Sequence, residues 1–457
     1  MIMDTPICDF VNRYAESRAL RLHMPGHKGI GNLGEQLDIT EIDGADSLYE
    51  AGGIIRKSEE NAAALFGAQT LYSTEGSSQC IRAMVYLAML WGKQQGRRPL
   101  IAAARNAHKT FLSAAALLDV EVQWLYPRKA DSYLSCLLDA EDLACALSAM
   151  AEKPAAVYLT SPDYLGNVAP VKALAQVCHR FGCLLLVDNA HGAYLRFLQP
   201  SQYPTDLGAD LCCSSAHKTL PVLTGGAYLH VSPSAPALCG QQARTGMMLF
   251  GSTSPSYLIL QSLDAANAYL ENGYVSRLAE FAARLEKLKA TLTCHGYVLC
   301  GNEPLKLTIR TKPYGYTGDE LAQLLQEKNM ICEFHDPDFL VLMLTPENTP
   351  REMEKLEQAL VSIPRKPAID TCPPVFCRSE AVLPIRAAAL SLREVVPVAQ
   401  SVGRVLAAAT VGCPPAVPIV VCGERIDEAA AACLAYYGIE SCEVVTDDPS
   451  QGKERSV

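Results

Sequence analysis

The chain has 457 residues, enough for about three domains with buried cores. Its formal net charge is −10, with basic residues interspersed among the acids, which argues against a nucleic-acid surface. No apolar stretch approaches the roughly 20 residues that span a bilayer, and the N-terminal sequence does not resemble an export signal. We therefore expect a soluble cytoplasmic protein without a membrane partner.

The 18 cysteines are scattered along the chain without the paired Cys-x-x-Cys spacing of a zinc site. In a reducing compartment they are predicted to be free packing residues, because buried cysteine behaves as a small apolar side chain. Cys212 and Cys213 would be the first candidates for any redox role. No metal is predicted.

The first segment that indicates chemistry is ALFGAQTLYSTEGSSQCIRAMVYLAML, a short strand followed by an apolar helix. Gly76, Ser77 and Ser78 lie at the start of that helix. Free N–H groups, two hydroxyls and the helix dipole suit a phosphate dianion. Serine is also an ordinary helix N-cap, so this turn defines no site by itself.

The next unit, PLIAAARNAHKTFLSAAALLDVEVQWLYP, reads as a strand, a polar break at residues 105–109, a small-residue helix and a second strand. His108 lies in the break. At a strand end its imidazole could cover a cofactor ring, and the alternative is a histidine that only caps the helix.

Two apolar strand-like runs further along end in ionisable residues: LLLVDNAHGAY carries Asp188, and ADLCCSSAHKTLPVLTGGAYL carries Lys218. A lysine amine can form a Schiff base with an aldehyde, and a carboxylate can keep a pyridine nitrogen protonated. The pair therefore indicates a pyridoxal phosphate site. Either residue alone would read as a surface lysine or a strand-end helix cap.

Helix-length stretches alternate with short Val-, Leu- and Ile-rich strands from about residue 59 to residue 231, a pattern typical of a doubly wound α/β fold with a mostly parallel sheet. Examples are a strand at 155–160, a helix at 171–181 and a strand at 183–187. Ligands bind at the carboxyl ends of such strands, where the candidate residues lie.

A long helical segment, SPSYLILQSLDAANAYLENGYVSRLAEFAARLEKLKATL, follows, with a break expected at Gly273. It leads into a smaller α/β unit with strands near 306–310 and 339–344 and then into a proline-rich linker at 364–374. The predicted domains are an N-terminal arm contributing to the active site and dimer (1–58), a large cofactor domain (59–265), a small α/β domain (266–368) and a C-terminal module with a frayed end (369–457).

Several motifs together resemble the bacterial-type ornithine, lysine and arginine decarboxylases, which are fold type I pyridoxal phosphate enzymes. They are RLHMPGHKGI, DITEIDGADSLYEAGGIIRKSEENAAALFGA, RNAHKT, VDNAHGAY, SSAHKTLPVLTGGAYL and GSTSPSYLILQSLDAA, and they span most of the chain. The large members of this family carry an N-terminal wing domain, whereas HMPGHKG lies close to the start here. The chain resembles the compact form.

The resemblance implies that Lys218 forms the Schiff base, Asp188 pairs with the ring nitrogen, His108 stacks on the ring and His191 lies beside the cofactor. It also implies a homodimer or higher homo-oligomer in which STSPSY reaches the phosphate of the neighbouring subunit, although a polar turn before a helix would explain the same residues. The residues assigned to holding phosphate or orienting the cofactor are Gly76, Ser77, Ser78, Ser215, His217, Ser252 and Thr253.

Two positions depart from the family pattern. Glu75 places an acid beside the phosphate turn, where relatives often have Asn. In TVGCPPAVPIVVCGERI, Ala416 and Val417 replace the Gly and Ile of the family's Pro-Pro-Gly-Ile-Pro segment. These departures keep a non-catalytic regulatory protein open as one alternative.

The resemblance, and not the residue chemistry, selects decarboxylation of a basic amino acid, because an aminotransferase or a lyase of the same fold would share Lys218 and Asp188. Among the substrates, arginine ranks above lysine and ornithine, since compact members are often linked to agmatine formation. Glu333 and the acids of residues 43–50 could meet a cationic substrate tail, and the alternative for each is a solvated or structural acid.

Overall fold

The computed structural model describes residues 3–128, 132–374, 378–408 and 415–446. Its α-helices are α1 Pro6–Glu16, α2 Ile54–Phe66, α3 Gly76–Gln94, α4 Lys109–Leu118, α5 Ala140–Ala149, α6 Val171–Arg180, α7 Ala216–Thr219, α8 Ala237–Leu249, α9 Tyr257–Glu271, α10 Tyr274–Cys294, α11 Gly318–Gln326, α12 Pro350–Val361, α13 Ile385–Ala389 and α14 Glu428–Tyr436. Its strands are β1 Gln69–Ser73, β2 Leu100–Ala104, β3 Glu121–Leu125, β4 Ala156–Thr160, β5 Leu184–Asp188, β6 Leu211–Ser214, β7 Ala227–Val231, β8 Val298–Cys300, β9 Lys306–Arg310, β10 Phe334–His335, β11 Phe339–Met343, β12 Arg393–Pro397 and β13 Ser441–Val445.

The main sheet has seven strands in the order β1-β7-β6-β5-β4-β2-β3. Strands β3, β2, β4, β5 and β6 run parallel, and β7 is antiparallel to both of its neighbours. Strand β5 is buried along its whole length, as expected for an apolar parallel strand covered on both faces. The predicted α/β class with a mostly parallel sheet is confirmed.

The chain order reverses at β2, which pairs with β3 on one side and with β4 on the other. Such a reversal opens a crevice at the carboxyl ends of the strands, because the connections leave in opposite directions. The loops after β2, β4 and β5 share this edge. The fold therefore brings together the segments that follow residues 104, 160 and 188.

The predicted break in the long helical segment is confirmed: α9 ends at Glu271 and α10 starts at Tyr274. Gly273 lies between them at φ +70°, a left-handed conformation that glycine adopts at little cost. Helix α10 then leads into a four-stranded antiparallel sheet in the order β10-β11-β9-β8.

The C-terminal segment contains a two-stranded sheet of β12 and β13 and packs against the large sheet's helices. Ile385 and Val421 lie in the same buried cluster as Ile81 and Phe111. The first part of the Pro-Pro segment, 410–414, and the end expected to fray, 447–457, lie outside the described residues. The four domain ranges stay predictions. No helix in the described part of the chain is long and apolar enough to cross a membrane.

Candidate active site

A cavity of about 180 Å³ lies at the carboxyl edge of the main sheet, at the reversal beside β2. Its wall brings together four of the predicted residues, His108, Asp188, His191 and Lys218. They come from the ends of β2 and β5 and from α7, up to 110 positions apart in the sequence. The remaining lining residues are Asn106, Leu134, Thr160, Pro162, Tyr164, Ala190, Glu333, Pro415 and Val417.

Asp188 is the last residue of β5 and is held by neighbours on its own sheet. The Tyr158 hydroxyl donates to its Oδ2 at 3.0 Å, and the Ala190 N–H donates to its Oδ1 at 3.2 Å. Burial and the nearby Asp188 charge raise the pKa of Tyr158 well above its ordinary value, so the phenol stays a donor. The carboxylate is thus fixed in orientation at the cavity wall.

Lys218 lies in α7, the single turn that follows β6. Its N–H donates to the Ser215 carbonyl at 3.1 Å, and its Nζ lies 2.7 Å from His191 Nε2. His191 is buried, and burial, helped by the Lys306 charge, lowers its pKa well below the ordinary value. The ring is therefore a neutral imidazole beside the amine.

His108 caps a helix, as one interpretation of the sequence had it, and it also lines the cavity. Its Nδ1 accepts from the Thr110 N–H at 3.1 Å and from the Thr110 hydroxyl at 3.0 Å, which makes it the N-cap of α4. Burial lowers the pKa of His108 to about 4. Above that pH it presents a neutral ring in a fixed plane.

The phosphate turn starts α3 as predicted, but its N–H groups are not all available. Gly76 donates its N–H to the Gly225 carbonyl at 2.7 Å and adopts φ +70°. Ser78 Oγ lies 3.1 Å from Thr110 Oγ1, which links the turn to the residue that holds His108. Ser77 is half-buried beside it.

Ser215 precedes α7 and His217 lies within it, and neither residue is on the cavity wall. Ser215 is buried at the N-cap position of that helix. His217 Nδ1 lies 2.9 Å from the Gly226 carbonyl, which makes Nδ1 the protonated nitrogen, and burial lowers the His217 pKa. Its Nε2 is thereby left as the acceptor side of the ring.

Ser252 and Thr253 lie on the exposed surface and not on the described wall of the cavity. Glu75, the acid that departs from the family pattern, accepts a short hydrogen bond from the Ser252 N–H on its carboxylate. The acid therefore ties the Ser252 loop to the start of α3. This contact accounts for an acid next to a phosphate turn.

Asn106 and Thr160, which sequence reasoning missed, test whether a polar cofactor fits the cavity. Asn106 Oδ1 and Thr160 Oγ1 are buried and line it, and neither has a hydrogen-bond partner among the described residues. Such orphaned groups are costly unless a ligand satisfies them. Together with the Asp188 carboxylate and the Lys218 amine, they fit pyridoxal phosphate. Their only sequence signal was their place at the ends of β2 and β4.

Two other parts of the chain complete the cavity. Glu333, from the small sheet, is exposed on the rim, and its Oε1 accepts from the Tyr164 hydroxyl at 2.9 Å. Pro415 and Val417 come from the C-terminal segment, whose Ala416 carbonyl accepts the Lys109 N–H at 2.8 Å. The Pro-Pro segment, which departs from the family pattern at Ala416 and Val417, therefore forms part of the cavity wall.

Cys212 and Cys213, the cysteines nearest Lys218, are fully buried in β6. Burial raises the pKa of Cys212 to about 12 and that of Cys213 well above its ordinary value. The described cysteines are all free thiols. Both observations agree with the predicted packing role, since a buried neutral thiol is unreactive. Among the described residues, no three His, Cys, Asp or Glu side chains form a group that could hold a metal.

Known proteins resemble the chain along nearly its whole length. A Bacillus subtilis (strain 168) protein described as uncharacterized protein YaaO is 30% identical over 459 residues, covering 93% of this chain and 92% of the relative. An arginine decarboxylase of Halalkalibacterium halodurans is 30% identical over 465 residues, covering 94% and 92%. Among solved structures, lysine decarboxylase A of Pseudomonas aeruginosa superposes with a TM-score of 0.79 at 18% identity, covering 96% of this chain and 80% of that one, which establishes the fold.

Two family models match. The model for the Orn/Lys/Arg decarboxylase major domain matches residues 5–295, and the model for the Orn/Lys/Arg decarboxylase C-terminal domain matches residues 380–443. The second match covers the segment where the sequence departs most from the family pattern. The chain therefore belongs to the Orn/Lys/Arg decarboxylase family, with pyridoxal 5′-phosphate as its cofactor.

Proposed function

We propose that the protein decarboxylates arginine to agmatine at the cavity of the main sheet. The observation that carries this proposal is that the cavity has an amine and a carboxylate, Lys218 and Asp188, on its inner wall and a second carboxylate, Glu333, on its rim. The inner pair suits the cofactor that reacts with the α-amine of an amino acid. The rim carboxylate suits a cationic tail. Decarboxylation of a basic amino acid is the activity of the family, and arginine is the substrate we rank first.

When bound, the cofactor supplies an aldehyde and an electron-accepting ring that takes up the electron pair left as carbon dioxide departs. Asp188, oriented by Tyr158 and Ala190, keeps a proton on the ring nitrogen. Lys218 would hold the cofactor through its amine, which can bond to the aldehyde carbon. His108, neutral because it is buried and fixed by Thr110, would lie against the ring.

The start of α3 is proposed to hold the cofactor phosphate. Ser77 and Ser78 supply hydroxyls at the positive end of that helix. Gly76 supplies the close approach of the backbone, and Ser215 and His217 orient the anion from α7. The Ser78–Thr110 contact couples phosphate binding to the ring that His108 covers.

Glu333 is proposed to bind the guanidinium of the substrate. A planar guanidinium can donate two charge-assisted hydrogen bonds to one carboxylate, and the Tyr164 hydroxyl already orients Glu333. Exposure on the rim lets Glu333 meet a tail that enters from solvent.

The test compares release of carbon dioxide from arginine, lysine and ornithine, with Lys218→Ala as the inactive control. For Glu333→Gln we expect the KM for arginine to rise about 10- to 100-fold, the worth of a hydrogen bond to a charged group, with kcat changed far less. The matched control is Glu327→Gln, another exposed acid of the same domain. An unchanged KM in Glu333→Gln would contradict this role of Glu333.

The same assay separates the alternatives. If only lysine or ornithine releases carbon dioxide, that amino acid is the substrate in place of arginine. A visible cofactor band with keto-acid formation and no carbon dioxide would indicate an aminotransferase, and elimination products would indicate a lyase. No band in cofactor-saturated protein would favour the non-catalytic alternative.

A homodimer is also proposed, with the N-terminal arm and the Ser252–Thr253 loop at the interface. Support comes from a run of apolar side chains that the described chain leaves exposed on the arm, namely Leu20, Leu22, Met24, Ile30 and Leu33. Patches of this kind mark protein contacts. The exposed Ser252 and Thr253 are free to reach the phosphate of a neighbouring site. The predicted cytoplasmic location is kept as part of this proposal.

Light scattering of the eluting protein tests the dimer. We expect a dimer mass for the wild type and a monomer mass, with loss of activity, for Leu22→Asp combined with Leu33→Asp. The control is Leu392→Asp, an equally exposed leucine of the C-terminal module, which should stay dimeric. A monomeric wild type would overturn the proposal.

A further inference from the structure

His191 lies between two lysines, one on each side of its ring. Its Nε2 lies 2.7 Å from Lys218 Nζ, and its Nδ1 lies 2.8 Å from Lys306 Nζ. Lys306 begins β9 of the small sheet, and its side chain is only 1% exposed. The proposed reaction uses Lys218 but gives no task to this second, buried lysine.

The neighbours of Lys306 Nζ are acceptors. The Asp163 carbonyl lies 3.2 Å away, and Glu303 Oε2 lies 2.9 Å away in an ion pair whose angle falls short of a hydrogen bond. An ammonium has three donors and no acceptor. A carbonyl, a carboxylate and an imidazole nitrogen therefore suit it, and His191 Nδ1 must accept.

A neutral imidazole has one N–H, so a proton-free Nδ1 places the proton on Nε2. That N–H points at Lys218 Nζ, which must then accept and cannot be an ammonium. We propose that Lys306 is a positioning residue: it fixes the tautomer of His191, which in turn presents Lys218 as a neutral amine. The inference rests on the proposed role of Lys218.

A neutral amine matters because its lone pair is what bonds to a carbonyl carbon. With the ordinary lysine pKa of about 10.4, roughly one amine in 2,500 is neutral at pH 7. When Lys218 Nζ accepts a hydrogen bond from the imidazole N–H, its neutral form is favoured and its lone pair is available for bonding. Lys306 thus acts through His191 and touches neither substrate nor cofactor.

The backbone holds Lys306 in place. The Gly166 carbonyl accepts a hydrogen bond from the Glu303 N–H at 2.8 Å, and Gly166 itself has φ +84°. A Cβ at Gly166 would lie 3.1 Å from Lys306 Cδ. The junction therefore packs tightly against the lysine stem, which leaves Lys306 little freedom to turn from His191.

Three other titratable groups face His191. The Tyr164 ring lies edge-on with its centroid 5.3 Å away, and a proton on His108, at the N-cap of α4, or on His217, in α7, would act on the ring electrostatically. Burial is the main cause that lowers the pKa of His191, and the Lys306 charge acts in the same direction. This direction agrees with a neutral ring and opposes an imidazolium that would donate to both lysines.

The direct test is nitrogen NMR of full-length protein labelled with ¹⁵N-histidine, with and without the cofactor and with His191→Gln for assignment. We expect His191 to show a protonated Nε2 and a bare Nδ1 in both states. A proton on Nδ1, or a doubly protonated ring, would overturn the proposal. This spectrum requires no catalytic turnover and no variant that perturbs the Lys306 pair.

A second test replaces the pair in Lys306→Met with Glu303→Gln, which keeps its net charge and leaves no buried lone carboxylate. In this variant we expect the His191 Nδ1 to gain proton occupancy. Dinitrofluorobenzene labels the neutral amine of Lys218 in cofactor-free protein, and mass spectrometry measures the extent of labelling at each pH. The pH of half-maximal labelling should rise by at least one unit in the double variant. That shift is about a tenfold loss of reactivity at neutral pH.

The control is Lys289→Met. Lys289 Nζ also donates to the Glu303 carbonyl, at 3.2 Å, but among the described residues it does not contact the His191 ring, so its replacement should leave both readouts unchanged. An unchanged Lys218 profile in the double variant would overturn the proposal. If arginine is not decarboxylated while the tautomer is as expected, the proposed function fails and the Lys306 inference stands. The opposite pair of results would reject the inference alone.

Discussion

Two buried ion pairs among the described residues lie where the large domain contacts the rest of the chain. They differ in the groups that neighbour them. Arg105 Nη2 lies 3.2 Å from Glu424 Oε2 and donates to the Ile419 carbonyl at 2.8 Å, and Arg105 Nη1 donates to the Pro418 carbonyl at 2.9 Å. Lys306 and Glu303 are buried just as deeply, but their pair borders the His191 ring.

The difference separates docking from chemistry. The Arg105–Glu424 pair, whose arginine also donates to backbone carbonyls, holds the C-terminal segment over the loop that carries His108. None of the contacts described for it is with a group that takes part in the proposed reaction. A pair that ends in an imidazole next to Lys218 can set a protonation state. Burial of charge is therefore not evidence for one role, and the neighbours decide it.

The largest effect should come from breaking the docking pair. Arg105→Met leaves Glu424 buried without its partner and should lower the free energy of unfolding by about 3–5 kcal/mol. Urea unfolding measures this. The control is Arg425→Met, since Arg425 pairs with Glu380 on the surface and should lose less than about 1 kcal/mol. Equal losses would show that burial of the Arg105 pair adds nothing.

The second pair separates stability from chemistry. Lys306→Met alone should cost about 3 kcal/mol because Glu303 stays buried and unpaired. Adding Glu303→Gln should recover most of that stability while activity stays low. Unfolding curves and kcat of the two variants check this. Recovery of both stability and activity would assign the Lys306 pair to docking as well.

The pH dependence of stability sharpens the comparison at the junction of the small sheet and the C-terminal module. Burial raises the pKa of Asp336 to about 6, so the folded state binds a proton that the unfolded state releases near pH 4. Stability from this group is present below about pH 4 and is lost as the pH rises to 6, by up to about 3 kcal/mol. Asp336→Asn should remove that loss.

Unfolding of the wild type and Asp336→Asn at pH 4, 5, 6 and 7 measures the difference. His108 acts in the opposite direction, because its lowered pKa of about 4 makes stability fall as the pH drops below about 6.5. Only the difference between the two proteins isolates Asp336. A difference that does not change with pH would contradict the raised pKa.

The smallest effect concerns Ala416, which stands where the family pattern has glycine. Its φ of +56° is left-handed, a conformation that costs a residue with a side chain roughly 1 kcal/mol. Ala416→Gly should therefore be neutral or stabilise by up to about 1 kcal/mol in urea unfolding. Ala431→Gly, inside α14, should instead destabilise by about 1 kcal/mol. Destabilisation by Ala416→Gly would show that the side chain contributes packing worth more than the strain.

The main sheet and its helices were predictable because their signals are local. The strands predicted at 155–160 and 183–187 are observed as β4 and β5, each within one residue. The break at Gly273 followed from glycine's freedom at positive φ. Asp188, Lys218 and His108 could be found because each stands at the end of an apolar strand.

The second tier of the site was not predictable in this way. Asn106 and Thr160 carry no motif of their own, and Lys306 reads as the first residue of an ordinary strand. Ala416 could be seen as a departure, but only its φ shows why glycine belongs there.

By itself the sequence determined the α/β class and the cofactor, and it singled out a lysine, an aspartate and a histidine of the large domain as candidates, because period and strand ends are properties of neighbouring residues. Only the tertiary structure decided that Glu333 and Val417 line the same cavity and that Lys306 contacts His191 beside it. Those meetings depend on how three sheets pack, and packing is set by contacts between segments more than 100 residues apart. No local pattern in the chain encodes such distances.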